Sequence, residues 1–284
     1  MFTVDFEKYF EETGLWEEGR QSFRALHTKM SESDFDASYE AYKAGDAAFA
    51  DFIADYAARE NIPVEVVNLY LYIRFSEFTY GEYKRRGIPD DIFYLTMSDF
   101  PVTCRQNVDK GGVYGITQQP ERPWLRLHLD SMLYRLGRLQ FELIESDRDI
   151  SLEGKTLKKG ERCINVHIAR YEPLDEDECE KSYALAKEFF KKYYGIETCF
   201  FFCHSWLLHP WLLEVLPETS SILRFQNKFK IAEIEENPDD VISYVFMNKC
   251  ENIDDYPENS SLQRTLKKYL SEKRSVGMAM GIRL

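Results

Sequence analysis

The sequence lacks several features that define broad classes of protein. Its 284 residues contain no uninterrupted apolar stretch close to the roughly 20 residues that a membrane-spanning helix requires. The first residues, Met-Phe-Thr-Val-Asp-Phe-Glu-Lys, lack the basic segment and apolar run of a secretory signal. No repeat of fixed period occurs, which argues against a solenoid. We therefore expect a protein without a membrane partner.

Positively charged residues are also fewer than negatively charged ones. The chain has 36 Lys and Arg against 49 Asp and Glu, which gives a formal net charge of −13. Surfaces that bind nucleic acid need basic residues to neutralise phosphates, and anionic membranes attract basic segments in the same way. The charge balance argues against a nucleic-acid partner and is compatible with a cationic small substrate.

Six cysteines are present, at scattered positions inside apolar patterns. This arrangement is typical of free thiols in a reducing compartment, so we predict a cytoplasmic protein. A zinc site built from Cys199, Cys203, His204 and His209 is disfavoured, because Cys203 and His204 are successive strand residues and point to opposite faces. A Cys203 nucleophile is disfavoured as well, since an apolar strand supplies neither a base nor positive charge. We expect no metal.

Two regions with different hydrophobic periods divide the chain. Residues 1–120 show helical spacing almost throughout, as in the single face formed by Phe49, Ile53 and Tyr56. Aromatic residues make up 15% of the chain and are interpreted as core at such spacings, with an aromatic-lined pocket as the alternative. Turn-rich residues at 109–123 indicate a boundary. We predict a helical domain at 1–120 and a second domain at 121–284.

The second region begins with alternating apolar and polar residues, a pattern that is typical of β-strands. In residues 136–144, Phe141 belongs to an apolar face, and Glu142 belongs to a polar face with Arg138 and Gln140. A helix is then expected from an Asp175 cap to Gly195, after a strand at 163–169. The other predicted elements are a buried strand at 198–206, a hairpin of strands at 229–234 and 241–246, a helix at 261–271 and a strand at 276–284. The order of elements predicts an α+β fold.

This order, together with several short sequence words, resembles a known family. The words are Tyr134-Arg-Leu-Gly-Arg-Leu-Gln-Phe-Glu142, Val166-His-Ile168, Ser205-Trp-Leu-Leu208 and Leu262-Gln-Arg264. They are similar to those of a bacterial group in which a helical N-acyltransferase N-terminal domain precedes a GNAT-like C-terminal domain. The resemblance covers nearly the whole chain. It implies a mixed β-sheet that is splayed at its centre and flanked by helices.

The resemblance also implies a position for an acyl-CoA co-substrate, such as acetyl-CoA. Its pantetheine arm would lie between the strands at 164–169 and 198–206, and its diphosphate at the N-terminus of the helix after Asp175. The backbone of the first strand would bind the arm. The cofactor-binding residues carried over in this way are Val166, His167, Ile168, Ala169 and Arg170.

The chemistry that the resemblance implies is acyl transfer from a thioester to a small amine. The amine must lose a proton before it can attack, so a base near the acceptor is useful. His204 and Glu142 are the predicted catalytic residues, and His167 is a third candidate for the base. A core histidine with satisfied hydrogen bonds is the alternative interpretation of each histidine.

The sequence departs from the family at one important place. The phosphate loop Gln/Arg-x-x-Gly-x-Gly/Ala is missing, and an acidic stretch without glycine, Arg170-Tyr-Glu-Pro-Leu-Asp-Glu-Asp-Glu178, occupies its position. Either acyl-CoA binds in an altered way, with help from Arg170 or Lys181, or CoA binding has been lost. We therefore predict an N-acyltransferase, with a non-catalytic small-ligand-binding protein of GNAT-like fold as the alternative.

Overall fold

The computed structural model describes residues 3–117, 124–197 and 200–284. The chain divides into two compact units, residues 1–136 and 137–284. The domain boundary predicted at residue 120 lies outside the described residues, in the segment 118–123. Among the described helices, none combines the length and the apolar character needed to cross a bilayer.

The first unit is helical up to its last residues, as the hydrophobic spacing predicts. Its described helices are α1 (Phe6–Thr13), α2 (Glu17–Lys29), α3 (Glu32–Ala44), α4 (Asp46–Glu60), α5 (Val64–Arg86), α6 (Asp90–Met97), α7 (Asp99–Asp109) and α8 (Trp124–Leu129). Helix α5 is the central one. It begins after Pro63 and ends at Gly87, whose φ of 71° lets its N–H bond the carbonyl groups of Tyr83 and Lys84.

Aromatic side chains fill the core of this helical unit. The ring of Phe75 on α5 lies 5.1 Å from that of Tyr42 and 5.7 Å from those of Phe35 and Phe49. Tyr70 and Phe75 are buried almost completely. The aromatic residues at helical spacing therefore belong mainly to the core of this unit, where each large ring removes apolar surface from water.

A mixed sheet of six strands flanked by helices has the strand order β1–β2–β5–β6–β8–β7, and all of its strands except β1 lie in the second unit. The strands are β1 (Leu133–Leu136), β2 (Leu139–Glu145), β3 (Ile150–Leu152), β4 (Lys155–Leu157), β5 (Arg162–Ile168), β6 (Phe201–Ser205), β7 (Lys230–Glu235) and β8 (Met278–Arg283). The helices are α9 (Glu176–Tyr194), α10 (Trp211–Val215), α11 (Ser221–Gln226), α12 (Pro238–Val245) and α13 (Ser261–Ser271). Strands β3 and β4 form a separate hairpin.

The sheet splays at its centre, between β5 and β6. These strands run parallel, and their described residues pair at two positions, Ile164 with Phe201 and Asn165 with Phe202. Strand β5 is antiparallel to β2 along its whole length, and β6 is antiparallel to β8 along its whole length. Where β5 and β6 have separated, each of them is therefore still paired with its outer neighbour, β2 for β5 and β8 for β6. The centrally splayed mixed sheet is as predicted.

Helix α9 covers one face of this sheet. Asp175 caps the helix by accepting from the backbone N–H of Glu178, and Gly195 ends it in the left-handed conformation. The ring of Tyr183 lies 5.8 Å from that of Phe141 on β2 and 5.0 Å from that of Phe201 on β6. The helix thus buries the apolar faces of both strands. The polar residues of the strands lie on the opposite face.

The predicted hairpin at 229–234 and 241–246 is wrong in its second half. Residues 238–245 form helix α12, because Asn237 accepts from the N–H of Asp239 and Pro238 occupies the first turn. Val241 and Ile242 are buried on one side of that helix. The strand that pairs with β7 is β8, which lies between β6 and β7 in the sheet.

Two other predicted strands differ from the observed ones at their ends. The strand predicted at 136–144 is two strands, separated by a turn in which Gly137 has a φ of 74°. The strand predicted at 198–206 is observed as β6 over Phe201–Ser205. Residues 198 and 199 lie outside the described residues, and Trp206 begins a short 3₁₀ turn.

A close approach of two backbones fixes the start of β8. A Cβ atom added to Gly277 would lie 1.9 Å from the carbonyl oxygen of Glu235, so only glycine fits there. Gly277→Ala is expected to lower the free energy of unfolding by about 1–3 kcal/mol, the usual cost of overpacking. Urea denaturation curves measure the change.

Gly81→Ala is the matched control for this substitution. Gly81 lies inside α5, and a Cβ atom there meets nothing within 4 Å. Since alanine favours a helix over glycine, this variant should gain up to about 1 kcal/mol in the free energy of unfolding. A Gly277→Ala protein as stable as the Gly81→Ala protein would show that the two backbones separate at little cost.

Candidate active site

The candidate site lies on the sheet face opposite α9, where β5 and β6 diverge. The antiparallel register places Gln140 opposite His167 and Glu142 opposite Asn165. Since alternate strand residues share a face, these four side chains form one polar patch across β2 and β5. His204 on β6 belongs to the same face, two residues after Phe202, the partner of Asn165.

A short hydrogen-bonded cluster joins three of these side chains. The Nε2 atom of His167 lies 2.8 Å from Oε2 of Glu142, and Nδ2 of Asn165 donates to the same oxygen over 3.0 Å. The side chains of His167 and Glu142 are 24% and 18% exposed. The cluster is therefore fixed by its neighbours but still reached by solvent, as a site for a ligand requires.

The carboxylate of Glu142 stays ionised because of these hydrogen bonds. Burial raises its pKa, but the hydrogen bonds from His167 and Asn165 lower it by more, so that the pKa of Glu142 lies below its usual value. A carboxylate of lowered pKa is a weak proton acceptor. Glu142 is therefore better suited to orient His167 than to act as the base itself.

His204 has a carboxylate partner of its own on another strand. Its side chain is 43% exposed, and its Nε2 atom lies 3.4 Å from Oε1 of Glu235. The structure thus brings together Glu142 and His167 on one side of the divergence, and His204 and Glu235 on the other. The pairing of Glu142 with His167 could have been anticipated from the alternation of the two strands once they were paired in register.

The residues carried over for cofactor binding lie along β5 and just after it. Val166 is buried on the α9 side, and His167 and Ile168 are half-buried. Ala169 is buried beyond the end of the strand. The guanidinium group of Arg170 lies 5.1 Å from the ring centre of Tyr244 and packs against that side chain.

The N-terminus of α9 differs from an open phosphate site. The Asp175 carboxylate accepts from the N–H of Glu178 over 3.1 Å, and the Glu178 carboxylate pairs with Lys181 over 2.6 Å. Acidic side chains thus already interact with the positive end of the helix dipole. Lys181, one of the two residues expected to assist phosphate binding, is engaged in an ion pair.

Two cations near this helix end were missed in the sequence analysis. Glu176 pairs with Lys228 over 2.7 Å and with Arg224 over 3.4 Å. Arg224 lies on α11, and Lys228 follows one helical turn later in sequence. Their spacing of four residues is the signal that could have revealed them, since such residues share one side of a helical segment.

Neither a metal centre nor an activated thiol emerges from the described part of the chain. Within residues 3–117, 124–197 and 200–284, no group of three or more His, Cys, Asp or Glu side chains is placed to hold a metal ion. Cys199, part of the zinc alternative, lies outside the described residues. Burial raises the pKa of Cys203 to about 12, which disfavours a thiolate. The cytoplasmic location inferred from the thiols stays a prediction.

The lowered pKa of Glu142 predicts a dependence of stability on pH. Glu142→Gln should reduce the free energy of unfolding at pH 7 by about 1–3 kcal/mol, because it replaces a charge-assisted hydrogen bond. Since the folded-state pKa lies below the ordinary value of 4.5, this stabilisation is present above pH 4.5 and is lost as the pH falls through the folded-state pKa. Urea unfolding of both proteins at pH 7 and pH 3 measures the difference.

The control is Glu145→Gln, at the exposed end of the same strand. Its effect on unfolding should be small, as is usual for surface substitutions. A Glu142→Gln effect that is equally large at pH 7 and pH 3 would contradict the assigned ionisation.

Comparisons with known proteins agree with this architecture. The model of the N-acyltransferase N-terminal domain matches residues 4–131, and that of the GNAT-like C-terminal domain matches residues 133–283. A search of curated proteins finds no match.

Solved structures of acyltransferases share the fold. One, in complex with decanoyl-CoA and teicoplanin, has a TM-score of 0.74 and 20% identity, covering 98% of this chain and 86% of that chain. Another, in complex with CoA and 10C-teicoplanin, has a TM-score of 0.73, 19% identity and the same coverage. A third, in complex with decanoyl-CoA, has a TM-score of 0.62 and 25% identity, covering 85% of this chain and 68% of that chain. The chain belongs to the GNAT-like C-terminal domain family, with an N-acyltransferase N-terminal domain ahead of that domain.

Proposed function

We propose that this protein is an acyl-CoA-dependent N-acyltransferase that moves an acyl group from a thioester to a small amine. The observation that carries the proposal is a hydrogen-bonded His167–Glu142 pair beside the point where β5 and β6 diverge. Acyltransferases of the same fold have been solved with CoA and with decanoyl-CoA. The fold and the chemistry of the pair therefore favour the same reaction class.

The divergence of the strands provides a place for an extended ligand. Beyond Asn165, strand β5 no longer pairs with β6, so a ligand arm carrying amide groups can add to the edge of β5 as a strand does. We assign the pantetheine arm of acyl-CoA to this edge, along Val166, His167, Ile168, Ala169 and Arg170. The thioester then lies close to the polar face that bears His167.

His167 is the base of the proposed reaction. When its Nε2–H is donated to Glu142, the lone pair that accepts a proton is on Nδ1. The neutral amine attacks the thioester carbon, and its nitrogen, which becomes positively charged as the bond forms, passes a proton to this lone pair. The carboxylate of Glu142 holds the ring and stabilises the imidazolium ion that forms, as the acid does in a catalytic triad. Glu142, predicted as a base, is thereby proposed as the positioning residue.

The acidic N-terminus of α9 favours one alternative, a non-catalytic protein that binds a small ligand in the same cleft. The Asp175 carboxylate occupies a backbone N–H group that would otherwise face a phosphate. In the enzymatic proposal Lys228 and Arg224 bind the diphosphate of acyl-CoA instead. They exchange their contacts with Glu176 for contacts with the phosphate oxygens. A binding measurement separates the two functions.

Acyl-CoA is expected to raise the melting temperature of the protein. A ligand that binds only the folded state at 100 times its Kd adds about 2.7 kcal/mol to the free energy of unfolding. Acetyl-CoA, octanoyl-CoA and decanoyl-CoA, each with a small primary amine, should also yield free CoA thiol and the matching amide, detected by mass spectrometry. If acyl-CoA raises the melting temperature but no amide product forms, the result would favour the non-catalytic ligand-binding protein. If none of the three acyl-CoA compounds raises the melting temperature, the result would exclude an acyl-CoA site.

His167→Gln is expected to lower kcat by about 10²- to 10⁴-fold, the usual contribution of a positioned base. The glutamine amide can donate to Glu142 in place of the His167 ring, so the melting temperature should change little. His27→Gln, an exposed histidine on α2, is the control and should retain wild-type kcat. If His167→Gln keeps kcat within about threefold of wild type while folded, the base has been assigned wrongly.

A further inference from the structure

His204 occupies the position opposite His167 across the splay. The last pair of the β5–β6 ladder joins Asn165 and Phe202. Two residues further along each strand lie His167 and His204, on the same face of the sheet as that pair. Because the ladder has ended, the two histidines are separated by more than the usual spacing of about 4.8 Å between paired strands. They flank the gap in which the proposed reaction takes place.

Each of the two histidines has a carboxylate from a strand further out. Glu142 on β2 lies 2.8 Å from His167, and Glu235 on β7 lies 3.4 Å from His204. Glu235 reaches His204 past the intervening strand β8, where His204 pairs with Met280 and Glu235 with Met278. The gap is thus bordered by two His–Glu pairs that differ in their surroundings.

The surroundings of the two pairs suit opposite proton-transfer roles. His167 is 24% exposed and hydrogen-bonded in a compact cluster, whereas His204 is 43% exposed and its partner Glu235 is 58% exposed. An exposed imidazolium regains its proton directly from water. The other carboxylate on this face of β7, Glu233, is already paired with Arg148. Glu235 is therefore the carboxylate on this face of β7 that contacts His204.

We propose that His204 is the general acid of the reaction and protonates the departing sulfur of CoA. This assignment rests on the proposed acyl transfer. The amine nitrogen forms a bond to the thioester carbon, its proton passes to His167, and the carbon–sulfur bond breaks. The imidazolium of His204 gives its proton to the sulfur, which leaves as a thiol. His167 then releases a proton to water and His204 takes one up, so the cycle is balanced.

There is a chemical reason for a group that protonates the departing sulfur. The attacking amine and the thiolate compete as leaving groups from the tetrahedral intermediate. Deprotonation of the nitrogen by His167 makes the amine a poor leaving group, and protonation of the sulfur makes the thiol a better one. His167 already holds the proton taken from the nitrogen, and a second histidine on the facing strand lets the sulfur be protonated in the same step. His204 approaches from the other strand.

The assignment is tested with two acyl donors that carry the same acyl group. One is decanoyl-CoA, and the other is decanoyl thiophenyl ester, whose aryl thiolate is stable enough to leave without a proton. His204→Gln should lower kcat/KM about 10²-fold with decanoyl-CoA and less than about threefold with the aryl ester. His167→Gln should lower kcat/KM with both donors, because the amine must be deprotonated in either case.

Two variants on β7 complete the experiment. Glu235→Gln should give a smaller loss of kcat/KM that is again confined to decanoyl-CoA, since this residue acts through His204. Glu233→Gln changes a carboxylate on the same face that pairs with Arg148, and it should behave as wild type with both donors. Melting temperatures of all variants show whether each protein is folded.

The possible outcomes distinguish this assignment from the function on which it rests. Equal losses with the two donors for His204→Gln, or no loss with either, would overturn the acid role while leaving acyl transfer intact. Wild-type protein that transfers an acyl group from neither donor, nor from acetyl-CoA or octanoyl-CoA, would overturn the proposed function, and the role of His204 with it.

Discussion

The two-residue ladder between β5 and β6 is the constraint on which the rest of the second unit depends. A longer ladder would close the gap in the sheet, and a missing one would leave the two halves of the sheet unjoined. The gap persists because β2 and β8 hold the inner strands along their whole lengths. Each inner strand is therefore hydrogen-bonded along its outer edge on either side of an opening in the middle of the fold.

The same geometry explains why polar side chains collect at the opening. Side chains alternate between the two faces of the sheet along β2, β5 and β6. Phe141 and Phe201 therefore face α9, whereas Glu142, His167 and His204 lie on the other face. A buried carboxylate is costly unless it is hydrogen-bonded. Glu142 meets that requirement through Asn165 and His167, so the cost of its burial is offset by the contacts that orient the histidine.

Local patterns predicted much of this architecture, and long-range pairing accounts for most of what they missed. The faces of β2 and β5, the Asp175 cap and the Gly195 end of α9 follow from residues close together in sequence. The pairing of β7 with β8 joins segments about 45 residues apart, which no local pattern reveals. Asn237-Pro-Asp-Asp240 is compatible with a turn and with a helix start, and burial of Val241 and Ile242 decides for the helix. The partner of His204 depends on that same pairing.

The place of β8 between β6 and β7 has a consequence for synthesis on the ribosome. Strand β6 emerges long before residues 278–283, yet the neighbour that pairs with its outer edge is made last among the strands of the sheet. Until then, the apolar segment at 201–205 has an edge open to other strands, which is a hazard for aggregation. The outer edge of β6 is therefore covered only after the last strand of the sheet has been translated.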